Sequence, residues 1–296
     1  MQNAAPVQLR QFRDLGQIIS TTFQFLRIHW KPLFRAIGII CIPLGLIAGF
    51  LIGRSLGDLQ RMSMMNDIGS NANAFDGAMS NFLPMAAGYL LMLLVMVMLF
   101  AIVYEYLRAY HLGENHGITT ADLWKRSMEQ FWNYLGISIL VMILVVIGSV
   151  LCIIPGIFAF VAFSLTYMVH AIERNGVTAS MKRSHLLIKD RWWETFGLII
   201  IVGLVQGVIA YALMIPTMII SVIIGINTTM EGVRAGGEPD MGWYPLFMAI
   251  MMTINLLVTL LTYPIMAVAL GLKYFSIVEE KEGLGIRQKI QGFEQA

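Results

Sequence analysis

Residues 130–172 run for 43 positions without an aspartate, glutamate, lysine or arginine. As one helix this stretch is about 65 Å long, roughly twice the thickness of a bilayer's hydrocarbon core. It must therefore fold back on itself. Pro155-Gly156 is the expected turn, because proline interrupts the helical ladder and glycine relieves the bend. The same ruler, roughly 20 apolar residues per crossing, predicts further spans at 36–53, 82–104, 195–230 and 241–272. The last two are longer than a crossing needs, which predicts tilt or extension beyond the bilayer. Composition agrees: 57% of residues are hydrophobic and 13% charged, whereas soluble domains carry about 25% charged residues. These stretches predict an all-α polytopic membrane protein with six transmembrane helices.

Basic residues in short flanks stay on the cytoplasmic side. Segments 1–35, 105–129, 173–194 and 273–296 hold 17 of the 20 lysines and arginines, leaving Arg54, Arg61 and Arg234 for the opposite face. Six spans with both termini cytoplasmic satisfy that count. The first apolar run follows five basic residues and lacks a small-residue cleavage site, so it reads as a retained span rather than a signal peptide. A net charge of +2 gives no indication of a nucleic-acid partner. Cys41 and Cys152 lie in apolar runs and read as buried packing residues.

An internal repeat sits in the predicted cytoplasmic segments. Glu114-Asn115-His116-Gly117-Ile118, Glu173-Arg174-Asn175-Gly176-Val177 and Glu280-Lys281-Glu282-Gly283-Leu284 each read Glu-x-x-Gly-aliphatic. The first two lead into a mixed helix and an aromatic anchor, Phe131-Trp132 and Trp192-Trp193, and the N-terminus follows the same grammar up to His29-Trp30-Lys31-Pro32. Three helical hairpins result, each introduced by a cytoplasmic amphipathic interfacial helix. Within a single six-helix domain (1–296) the boundaries are an N-terminal interfacial helix (1–31), hairpins at 32–113, 114–172 and 173–276, and a tail at 277–296. Leu15, Ile18, Ile19, Phe23 and Leu26 share the apolar face of the first interfacial helix. Leu123, Trp124, Met128 and Phe131 share that of the second, and Val177, Met181 and Ile188 that of the third.

Little in the chain supports an enzyme. No aspartate, glutamate, lysine, arginine or histidine falls deep in a span, where transporters and proton relays place them. Glu105 and His170 fall at span ends. The five histidines lack a metal spacing, so no metal and no cofactor are expected, and no catalytic constellation is present. Gln206 and Asn255 are the polar residues nearest mid-membrane and are the candidates for a cavity. Gly45, Gly49 and Gly53, and again Gly203 and Gly207, recur every four residues, a spacing that lets helix backbones approach closely. Asn227-Thr228-Thr229 is a commonplace glycosylation sequon.

Ile153-Ile154-Pro155-Gly156, Glu173-Arg174-Asn175-Gly176-Val177, Lys182-Arg183-Ser184 and Lys189-Asp190-Arg191-Trp192-Trp193 follow one another within about 45 residues. In this order they resemble the YciC-like bacterial inner-membrane family, related to the membrane domain of glycerophosphoryl diester phosphodiesterases. The resemblance implies a multi-pass protein of the bacterial cytoplasmic membrane and carries over no catalytic residue. Lys182, Arg183, Lys189 and Arg191 form the densest basic cluster, and Trp192 and Trp193 suit the bilayer interface. Together these six are the expected contacts for lipid phosphates, with membrane lipid, above all anionic phospholipid, as the partner. The expected function is non-enzymatic: organising the membrane, or anchoring and assisting a protein partner. The alternative is a passive or lipid-like transporter with a cavity between the hairpins.

Overall fold

The computed structural model describes residues 7–64, 71–114, 117–235 and 242–283. His116 and the tail beyond Gly283 lie outside them. The described chain is helical, with no strand among the described residues: α1 (Leu15–Met64), α2 (Asn71–His111), α3 (Thr120–Leu151), α4 (Ile153–Ala162), α5 (Thr166–Glu173), α6 (Val177–Ile188), a 3-10 turn (Lys189–Arg191), α7 (Trp192–Ala235) and α8 (Tyr244–Glu282). Six helical segments are long and apolar enough to cross a bilayer. This is a multi-pass membrane protein.

Local chemistry sets the helix ends. Asp14 accepts the Gln17 backbone N–H at 2.7 Å and starts α1. Thr119 and Asp122 form a reciprocal capping box ahead of α3. α2 closes in a Schellman motif: Gly113, at φ +75°, donates to the Tyr110 carbonyl, and Glu114 donates to that of Ala109. Gly283 closes α8 at φ +57°, whereas α5 ends on Arg174, a non-glycine residue at φ 53°. Among the described residues the repeat glycines Gly117 and Gly283 both have positive φ, at +89° and +57°, whereas in the second copy the left-handed residue is Arg174 and Gly176 is extended.

The fold-back comes three residues before its expected place. α3 ends at Leu151, Cys152 alone is extended, and α4 begins at Ile153. Pro155 occupies the first turn of α4, where its missing N–H has no helical partner to lose. Cys152 is therefore exposed at the tip rather than buried, while Cys41 is buried as expected. The first two segments expected as interfacial helices are not separate elements but the opening turns of α1 and α3; the third, α6, is set off from α7 by the 3-10 turn. In α1 the buried face is Ile18, Thr22, Phe25 and Leu26, with Phe23 exposed. In α3 it is Leu123, Ser127 and Tyr134, with Trp124 and Met128 exposed.

Two compact units make up the chain. The first comprises residues 1–37, 97–206 and 263–296, the second 38–96 and 207–262. In the first, Phe25 of α1 meets Tyr106 and Tyr110 of α2 edge-on, at 6.2 and 5.2 Å between ring centroids. Ser276 of α8 anchors the chain ahead of α1 by accepting from the Arg13 N–H at 3.0 Å and donating to the Arg13 carbonyl at 3.1 Å. In the second unit, α1 lies against α8 along its glycine stripe. A Cβ on Gly49 would fall 2.6 Å from Thr253 Cα, and one on Gly53 2.5 Å from the Met248 carbonyl oxygen. The expected small-residue packing is therefore within the chain for this stripe. Gly207 in α7 meets nothing within 4 Å.

Candidate functional site: a charged junction and an apolar groove

The first unit carries a buried ion pair. Glu105, fully inaccessible on α2, accepts two hydrogen bonds from Arg174, at 2.8 and 2.6 Å, and a third from the Tyr134 hydroxyl at 2.9 Å. A buried carboxylate needs this saturation, because desolvation otherwise outweighs its attraction to a cation. The left-handed turn at Arg174 directs the chain from α5 towards α6 at the same point. Beside it, His170 Nδ1 lies 2.7 Å from the Asn175 carbonyl oxygen and its Nε2 lies 3.2 Å from Gln130 Oε1. Both Glu105 and His170 have hydrogen-bond partners on other helices. The pairing of Glu105 is a long-range one.

A second set of charges ties the last turns of α8 to α6 and the start of α7. Arg183 bridges Glu173, at 3.1 Å, and Glu282. Arg191 bridges Glu194 and Glu280. Lys273 reaches Glu194 at 2.9 Å, and Lys281 reaches Asp190 at 2.8 Å. Two of the four expected phosphate-binding cations, Arg183 and Arg191, thus already hold two carboxylates each. Lys182 and Lys189 are exposed and form no salt bridge among the described residues. Glu173 and Glu194 lie 10 and 3 positions from their arginines, but Glu282 and Glu280 lie 99 and 89 positions away, so the basic run read alone concealed half of this neutralisation.

Part of the cluster opens onto a groove of about 530 Å³. Ile154, Ile157 and Phe158 of α4 form an apolar floor, and residues 189–194 form the opposite wall. Lys189, Asp190, Arg191 and Glu194 give that wall both signs of charge. Trp192 stacks on Phe158, with centroids 5.8 Å apart and planes 15° apart, and on Phe196 at 5.1 Å and 17°. Trp193 is 77% exposed. The six residues therefore do not act as one surface: Lys189, Arg191, Trp192 and Trp193 line the groove, whereas Lys182 and Arg183 do not. The apolar half of the groove, supplied by α4, carries no polar signature in the sequence.

In the second unit, two adjoining clefts of about 380 and 360 Å³ separate α7 from α8. Asn255 lines both, together with Met214, Thr217 and Met218. Gln206 lines neither.

Residues 133–277 match a family model described as a domain of unknown function (DUF7847). The match runs from within α3 to the last turns of α8, a little under half of the chain, and takes in both walls of the groove. No curated protein and no solved structure matches the chain.

Proposed function

We propose that this is a non-enzymatic integral protein of the bacterial cytoplasmic membrane that holds a phospholipid at its cytoplasmic surface, and so organises the membrane or presents lipid to a partner. The carrying observation is the amphipathic groove. Its floor of Ile154, Ile157 and Phe158 suits an acyl chain, and Lys189 and Arg191 on its wall supply positive charge for a headgroup phosphate. Lys189 is the principal phosphate contact, because Arg191 is shared with Glu194 and Glu280. Trp192 and Trp193 set the depth, an indole being apolar in body and polar at its N–H. Each exposed cation near an anionic surface adds about 1 kcal/mol. The likeness of residues 153–193 to YciC-like proteins, and the concentration of lysine and arginine in alternate segments, support this placement with both termini cytoplasmic.

Native mass spectrometry of the detergent-purified protein tests the reading. Wild type is expected to retain phospholipid, with anionic species enriched over their share of the membrane. Lys189→Ala combined with Ile157→Glu is expected to lose it, while Lys182→Ala, outside the groove, keeps it. Equal retention by all three proteins overturns the proposal.

The transporter alternative draws on the methionine-lined clefts that meet at Asn255. Asn255→Leu would abolish lipid or solute flux in proteoliposomes under that reading. It would leave lipid retention unchanged under the first.

A further inference from the structure

We infer that α3 and α4 do not cross the membrane: they form a hairpin inserted into the acyl chains of the same leaflet as the charged junction, leaving the crossing to α1, α2, α7 and α8. The hairpin is open to lipid along its length, as a spanning pair could also be, but it sits too close to charge for a spanning pair. From Ile139 to Phe160 only Gly156 is buried; Val150 at the tip is 81% exposed. The arms pack on each other through glycine, since a Cβ on Gly148 would lie 3.0 Å from Gly156 Cα and one on Gly156 would clash with Ser149. Apart from Ser149, the 22 residues offer no polar side chain, and a helix that is apolar all round belongs in hydrocarbon.

Depth follows from the neighbours of α4. The Ser184 hydroxyl donates to the Ala162 carbonyl at 2.9 Å, holding α6 against the base of α4. Trp192 stacks on Phe158, and Ile154 shares the groove with Lys189, Asp190 and Arg191. These ions, with Glu194, Glu280 and Lys281 paired to them, mark the aqueous or headgroup layer, because charge at hydrocarbon depth is costly. Cys152 is two residues from Ile154, a reach of at most about 7 Å. A spanning hairpin would place its tip roughly 30 Å from that layer. The free arm of α3 from Ile139 to Leu151 is only about 18 Å long, and α4 about 15 Å. Both lengths fall short of the roughly 30 Å of a full crossing.

The distribution of basic residues is indifferent to this choice, because the tip has no charge on either side of it. Four crossings, like six, return both termini to one face.

Cys152 is a native probe of depth. A nitroxide on Cys152, in Cys41→Ala protein reconstituted into phospholipid vesicles, reports its collisions with oxygen, which concentrates in hydrocarbon, and with a water-soluble nickel chelate. The expected result is high oxygen and low nickel accessibility at Cys152. Val150→Cys and Ile154→Cys, each with Cys152 and Cys41 replaced by alanine, are expected to give the same. Nickel accessibility at the tip comparable to that of an exposed loop label, from either face, overturns the inference. Should Cys41→Ala impair folding, wild type serves, since Cys41 is buried and out of reach of the label.

Discussion

Arg174 closes on both carboxylate oxygens of Glu105 across a separation of 69 residues, joining the end of α5 to α2. The two partners are unequally placed: Glu105 is fully buried, while the Arg174 side chain keeps 29% of its surface in contact with solvent. The pair therefore predicts an asymmetric response to mutation. Arg174→Met strands a buried carboxylate and is expected to cost about 3 kcal/mol. Glu105→Gln leaves an arginine that can turn to water and keeps an acceptor for Tyr134, so about 1 kcal/mol is expected. Apparent melting midpoints of the two variants in one detergent check the order.

The clasp on α8 is a weaker device. Arg183 is about one-third exposed, and exposed ion pairs contribute about 0.2–1 kcal/mol each. Arg183→Gln is expected to leave the melting midpoint almost unchanged. Amide hydrogen exchange in the last turn of α8, at 279–283, should rise several-fold, because local opening is governed by the contacts of that turn. Unchanged exchange there would show that the ion pairs do not hold it.

Aromatic packing separates Trp192 from Trp193. Aromatic pairs are worth about 0.5–1.5 kcal/mol beyond their buried area, and Trp192 makes stacked contacts with both Phe158 and Phe196. Trp192→Ala is expected to lower stability in detergent by about 2 kcal/mol. Trp193→Ala is expected to stay within about 0.5 kcal/mol. Thermal unfolding followed by tryptophan fluorescence distinguishes them.

The glycine stripe gives a prediction in the second unit. Gly53→Leu drives a side chain into the Met248–Ala249 backbone, and overpacking of this kind costs about 1–3 kcal/mol. Gly207→Leu enters open space and should be neutral. Folded yield and melting midpoint of both variants provide the check.

Charge-free runs exposed the helices because hydrocarbon excludes charge, and the four-residue glycine spacing marked the α1 face that meets α8. Sequence was weaker where the answer depended on partners far along the chain. Arg183 and Arg191 read as phosphate contacts although Glu173 and Glu194 are near them in the chain, and their second partners, Glu282 and Glu280, lie in the last turn of α8. Glu105 read as an ordinary span-end residue since Arg174 belongs to another helix. Residues 130–172 form two of the six segments apolar enough to cross, and apolarity records contact with lipid without recording depth. The neighbours of α4, with Ser184 at Ala162 and Trp192 at Phe158, are what bear on depth. Pro155 marked the neighbourhood of the turn but not its position, since the first turn of a helix accepts proline as readily as a loop does.

A cryo-electron microscopy map of the protein in phospholipid nanodiscs tests the central claim most directly. Headgroup density is expected between Lys189 and Arg191, continuous with acyl-chain density over Ile154, Ile157 and Phe158. A groove closed by Trp193, or filled only by water with no lipid density, would contradict it.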